Sequence, residues 1–221
     1  MKNYLKITTV LTMLCLISCD KEDDNAKKEQ EDLFNLKVGR NWVYKNYTRD
    51  SLQNLKFSNS LDSVVLIDKF TFENKNYFKR ETFYKNLNMD EWRLKEVKYI
   101  HVNSKGHLIM IEQDPRAKNN QKESIVHPGM DKDFTYEEEF FLGGEFLSNI
   151  VYKLEANRTI SVEGTNYLSY PFVGRLQPNE KIPKERVTEY HYAKGVGMVK
   201  EVLVAIYGDA TWERHLVSYS N

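Results

Sequence analysis

Few residues in this chain of 221 have the type and spacing to do chemistry. Five histidines stand at positions 101, 107, 127, 191 and 215. His101 and His107 flank Ser104-Lys105-Gly106, so a hairpin there could bring both rings together over a metal ion. Two imidazoles without a third ligand make a poor site. The pair therefore reads as surface histidines, and neither a metal nor a cofactor is expected. Glu137-Glu138-Glu139 could supply the two acids of a glycosidase, but those must face each other across a cleft, which spacing alone does not arrange. In a strand the run puts two carboxylates on one face and one on the other, which fits a solvated face with Glu138 as its odd member on the apolar side. Gly195-Val196-Gly197 lacks the third glycine and the helix of a dinucleotide loop. There is no Gly-x-Ser-x-Gly, His-Glu-x-x-His, Walker sequence or Cys pair. A non-enzymatic protein is expected.

One thiol stands out by context. Lys2 and Lys6 precede an uncharged stretch over residues 7–17, the layout of a secretory signal and too short to span a bilayer. The stretch ends in Leu16-Ile17-Ser18-Cys19, which resembles the lipobox of bacterial lipoproteins. The resemblance implies cleavage between Ser18 and Cys19, a diacylglyceryl group on the Cys19 thiol, and fatty acid such as palmitate on the new amino group. Each buried methylene of such chains contributes about 0.8 kcal/mol, so two or three chains hold a protein on a membrane. Cys15 lies in the removed segment and no cysteine follows Cys19. The mature chain then forms no disulfide and depends on core burial for stability.

Three segments follow: residues 1–18 as signal, 19–32 as lipidated cysteine and tether, and 33–221 as a single folded domain. Residues 20–32 hold seven acids and three lysines, with no aromatic or β-branched residue, and read as a flexible, solvated leash. Lys21 followed by Glu22-Asp23-Asp24 is similar to the surface-export signal of Bacteroidota lipoproteins, which implies display on the outer membrane facing the medium. The enterobacterial rule reads Asp20 after the cysteine differently, as retention at the inner membrane. Outer-membrane anchoring at the cell surface is the expectation, with a periplasm-facing domain as its alternative.

The elements that must position any site are strands. Alternation of period two runs through Phe134, Tyr136, Phe140 and Leu142, and again through Val64, Leu66, Phe70 and Phe72, with Asp68 as an exception. Turn residues at Ser104-Lys105-Gly106, Glu163-Gly164-Thr165-Asn166 and Gly208-Asp209 separate strand-like runs into hairpins. Residues 114–129 hold two prolines and Asn119-Asn120 and read as a long loop or lid. Residues 32–36 and 90–94 are the only candidates for a short helix. The expected fold is all-β and mainly antiparallel, with nine to twelve strands in a curved sheet, half-barrel or two-layer sandwich.

Phe34-Asn35-Leu36-Lys37-Val38-Gly39-Arg40-Asn41-Trp42-Val43-Tyr44 resembles the F-P-L-x-x-G-x-x-W-x-Y opening of a family of bacterial envelope lipoproteins, with Asn35 in the place of Pro. Ala193-Lys194-Gly195-Val196-Gly197-Met198-Val199-Lys200 is similar to its A-x-G-V-G-L-V-K segment. The resemblance implies an all-β domain similar to the half-barrel carriers of the LolA and LolB kind, without a defined activity. Trp42 and Tyr44 place two rings on one strand face, and with Phe134 and Tyr136 they form the candidate ligand face. Net charge is zero over the whole chain. The basic residues Lys79, Arg80, Arg93, Lys95, Lys98 and Lys105 are interrupted by acids and read as the solvent face of a sheet, so no nucleic-acid partner is expected. The expected function is a lipid-anchored module that binds an apolar or glycan ligand, or a protein partner, on its curved face. The alternative is an accessory subunit of an envelope complex with a filled core.

Overall fold

The computed structural model describes residues 33–34, 36–117, 122–205 and 209–220. Ser18, Cys19, the signal and the tether lie outside the described residues, as does Gly208 of the last expected turn. Leu33 and Phe34 are helical and buried, while the second helix candidate is a turn that runs into a strand at Arg93.

Among the described residues thirteen strands form one antiparallel sheet. In chain order they are β1 (Asn41–Arg49), β2 (Leu55–Phe72), β3 (Lys75–Asn86), β4 (Arg93–Val102), β5 (Leu108–Ile111), β6 (Glu123–His127), β7 (Thr135–Leu142), β8 (Glu145–Leu154), β9 (Arg158–Val162), β10 (Thr165–Leu176), β11 (Arg186–Ala193), β12 (Gly197–Val204) and β13 (Thr211–Ser220). Their order across the sheet is β6-β5-β4-β3-β2-β1-β13-β12-β11-β10-β8-β7, with β9 paired to β10. The first and last strands therefore join at the centre, and the two arms grow outward by successive hairpins.

The arms curl towards each other, because one buried cluster draws Phe78, Ile100 and Leu108 from one arm and Tyr170 and Tyr192 from the other. Burying both arms on a shared core removes apolar area that a flat sheet would leave in water. The edge strands β6 and β7 share no ladder among the described residues. An ion pair at 3.0 Å from Lys122, just before β6, to Glu138 of β7 bridges them, and His127 at the end of β6 packs on Phe172 of β10 in the opposite arm. The result is a curved, incompletely closed sheet, as the alternation of apolar residues predicts.

Three local expectations change. The stretch 114–129 contains β6, a paired strand ending in the buried His127, rather than loop throughout. Five residues are too few to show a period, and pairing with β5 imposes their extended form. Val64 and Leu66 point into the main core, but Phe70 and Phe72 lie on the other face, in a second cluster with Tyr77 and Tyr99. A register shift between Leu66 and Asp68 inverts the alternation there. The other departure is at Leu142, the last residue of β7 beside the hairpin turn, which is exposed although it shares its parity with the half-buried Phe140; the extra residue of the register shift there, Leu147, is on β8.

Candidate functional site

The concave side of the curl holds a half-enclosed cavity of about 760 Å³. Burial falls from one end to the other on several of the strands around it. On β1 Trp42 and Tyr44 are buried, Asn46 half-buried and Thr48 exposed; on β2 Ser60, Asp62, Val64 and Leu66 are buried and Ser58 exposed; on β13 Leu216 is buried and Trp212 exposed. The cavity is thus a cup, open at the end of the β1–β2 and β12–β13 turns and floored at the other by Trp42, Val64, Leu66, Ile100, Leu108 and the plug residue Phe34.

The floor is fixed by side chains that reach across strands. Trp42 Nε1 donates to the Val196 carbonyl at 2.5 Å, and the Arg40 guanidinium donates to the Gly195 carbonyl at 2.7 Å. These bonds skip over β13, which lies between β1 and β12, and clamp the turn at Gly195 and Gly197 beneath the sheet. Gly197 has φ +94, and its missing Cβ would stand 3.2 Å from the Trp42 nitrogen. Both the left-handed backbone and the close indole explain why a glycine stands there.

Midway up the wall runs a belt of paired charges. Asp62, fully buried, accepts from Asn46 Nδ2 at 3.1 Å and Lys95 Nζ at 3.0 Å, and lies 3.5 Å from Arg214. Arg214 also binds Glu201. Burial works against the Arg214 charge, but the Glu201 and Asp62 carboxylates outweigh it and hold the guanidinium above its ordinary range. Arg80 lies 3.5 Å from Glu96, and Lys98 3.1 Å from the same carboxylate. Tyr44, Tyr190 and Tyr192 are pushed up in pKa by burial first of all, so their hydroxyls stay protonated. Tyr44 donates to the Met198 carbonyl at 3.0 Å. Chemically the belt offers donors and acceptors with its charges already neutralised in pairs.

Trp42 and Tyr44 both line this cavity, as the candidate ligand face requires. Phe134 and Tyr136 do not line it. They stack on each other at 6.5 Å between centroids and extend through Tyr152 and Phe172 into the wall beside it. Glu138 faces the cavity while Glu137 and Glu139 are exposed, the division that alternation predicts. The sequence reading missed the ionic belt. Arg80 and Lys98 face inward, not to bulk solvent, while the half-exposed Lys95 reaches into the cavity mouth, and the signal for the first two lay in parity: Arg80 shares a β3 face with Phe78 and Thr82, and Lys98 a β4 face with Ile100.

The histidines also depart from expectation. His101 and His107 are buried, not on the surface, and do not meet. His101 packs edge-on to Tyr77 and His107 to Phe134. Aromatic neighbours make good partners for a neutral ring, and burial lowers both pKa values. Among the described residues no cluster of three His, Cys, Asp or Glu side chains could hold a metal.

No family model and no curated protein matches the chain. Among solved structures it is similar to one from Bacteroides fragilis, provisionally described as an exported protein with a YmcC-like fold, at 11% identity and a TM-score of 0.49, covering 86% of this chain and 99% of that one. It is also similar to one from Parabacteroides distasonis, provisionally described as a lipoprotein, at 13% identity and a TM-score of 0.46, covering 85% and 98%. At these scores the likenesses say nothing of what the chain binds.

Proposed function

We propose that this chain is a lipid-anchored, non-enzymatic module of the bacterial outer membrane that takes a small ligand with apolar and glycan-like parts into its cup. The observation that carries the reading is the half-enclosed cavity of about 760 Å³, with an apolar floor and a neutralised polar belt. That volume lies within the range of small-molecule sites. Sugar hydroxyls or a headgroup would match the paired charges and tyrosines, and an apolar portion the floor. The Asp62, Glu96 and Glu201 carboxylates each sit against a cation, which suits binding better than proton transfer. An accessory subunit would be expected to have a filled interior, so the cavity favours the binding module over that alternative. The anchor rests on the Leu16-Ile17-Ser18-Cys19 resemblance, and surface display on the acidic segment after it.

Native mass spectrometry of the chain extracted from its own membranes tests the reading. A co-purifying small molecule is expected with the unaltered protein and should be lost on Thr48→Phe, which narrows the exposed mouth and leaves the core untouched. Equal spectra with no adduct in either would remove the ligand.

A further inference from the structure

The exposed apolar side chains are gathered around the mouth of the cup. Strands alternate direction, so the turns after β1, β3, β7 and β12 lie at the open end. Leu52 stands in the first of these turns, Trp92 in the second, Phe141 and Phe146 on the β7–β8 hairpin, and Leu203 and Trp212 beside the β12–β13 turn. Trp212 is 55% exposed and Leu52 80%. Among the described residues, the exposed large apolar side chains away from this end are Val38, Ile67, Leu168, Val217 and Tyr219. Monomeric proteins rarely gather apolar side chains in this way unless something covers them.

We infer that this rim rests on a lipid bilayer, so that the mouth of the cavity faces the membrane and its ligand is an amphiphile drawn from that membrane. The inference rests on the Cys19 anchoring proposed above. It also needs a leash long enough to bring the open end down, because Leu33 and Phe34 enter the domain at the closed end. From Cys19 to Leu33 the chain has 14 steps. At roughly 3.3–3.6 Å per residue these reach about 46–50 Å. The nine residues of β1 span only about 30 Å. The leash can therefore run back along the wall and lay the rim on the same leaflet.

Charge complementarity decides the kind of lipid. The rim carries Lys56, Lys85 and Lys181 but also Asp50, Asp90 and Glu145, and Lys181 is bound to Glu145. With both signs interspersed there is no field to draw an anionic surface. Contact comes from burial of rings and aliphatic chains among neutral headgroups, where tryptophan partitions well. Tethering raises the local concentration of bilayer enough for a weak contact to persist.

The three tryptophans make the inference testable, since Trp92 and Trp212 are on the rim and Trp42 is buried in the floor. The acylated full-length chain is reconstituted into phosphatidylcholine vesicles containing brominated phosphatidylcholine. Trp92→Phe and Trp212→Phe variants assign each signal, and Trp42 emission reports an intact fold. Bromine quenching of both rim indoles is expected, unchanged between low and high salt, and at least halved by the pair Phe141→Asp and Phe146→Asp. Rim indoles that stay open to iodide while the chain floats with the vesicles overturn the docking alone. Protection from iodide without bromine quenching overturns it in favour of a protein cover. Failure of the chain to float, as Cys19→Ala is expected to fail, overturns the anchor on which the docking depends.

Discussion

The ring of Tyr152 in β8 packs against the backbone of Gly174, its cross-strand partner in β10, so closely that any Cβ at 174 would overlap it. Tyr152 in turn stacks on Phe172 at 5.2 Å and Tyr136 at 6.1 Å, which fixes one wall of the cavity. A glycine inside a strand is unfavourable by about 0.5–1 kcal/mol relative to alanine, so the ring, not the backbone, is its explanation. Gly174→Ala should therefore destabilise the protein, by about 1–3 kcal/mol as an overpacked site. Urea unfolding measures it, and adding Tyr152→Ala should cost less than the sum of the two single changes. A neutral or stabilising Gly174→Ala would contradict this packing.

Stability should fall between neutral pH and pH 4, through His127. Its ring is fully buried between Phe34 and Tyr192. The Gly129 N–H donates to Nδ1 at 3.1 Å, so the proton sits on Nε2, which donates to the Tyr170 carbonyl at 3.0 Å. Burial is the main cause that pushes the pKa down from 6.5 to about 4. The unfolded chain thus takes up a proton below 6.5 while the folded chain resists until about 4. The contribution of the neutral ring is fully present above 6.5 and is lost as pH falls towards 4, on the order of 3 kcal/mol. His101 and His107, also lowered by burial, act with the same sign. Unfolding free energies at pH 7 and 4.5 should differ clearly in the unaltered protein and much less in His127→Gln.

These residues also mark how far the sequence is legible. Hairpins announced by glycine turns are found as expected, because a two-residue turn such as Glu163-Gly164 with φ of 48 and 81 is a local matter of backbone sterics. The face of β2 was legible only up to a register shift, since one inserted residue inverts every side chain beyond it. The pairing of β1 with β13 joins the two ends of the domain and has no local signature. The ionic belt was hidden for a different reason: its charges lie on cavity-facing positions, where hydrophobic alternation predicts apolar residues. Gly174 carried a readable signal, a lone glycine within a strand, whose meaning depended on the ring opposite.

Asp62 should be the most costly member of the belt to remove. It is fully buried and faces Lys95 and Arg214 as well as the Asn46 amide. Asp62→Ala leaves Arg214 with Glu201 alone and the Asn46 amide without that acceptor, and breaking such a buried pair costs about 3 kcal/mol. Lys95 is half-exposed and adds little, because water can take over its charge. Thermal unfolding of Asp62→Ala, and of the same change combined with Arg214→Met, checks the argument. The double variant should recover part of the loss, since it removes a cation that the single variant leaves poorly matched.

Localisation gives the last prediction, and it separates two physical claims. Two or three acyl chains on Cys19 would hold the chain on a membrane whatever the folded domain does, because each methylene adds its own transfer free energy. Cys19→Ala should accordingly move the protein into the soluble fraction even if the apolar rim contacts lipid, since Trp92, Trp212 and the few rim residues around them bury far less apolar surface than the chains. In the proposed reading the acidic segment after Cys19 sets which side of the outer membrane the domain faces, so protease treatment of intact cells, probed with an antibody to the β13 strand, tests it independently. Loss of signal without lysis is expected for surface display, and Ala in place of Glu22, Asp23 and Asp24 should protect the protein by leaving it on the periplasmic side. Protection of the unaltered chain would return the domain to the periplasm without touching the anchor, whereas a membrane-bound Cys19→Ala would remove the anchor itself.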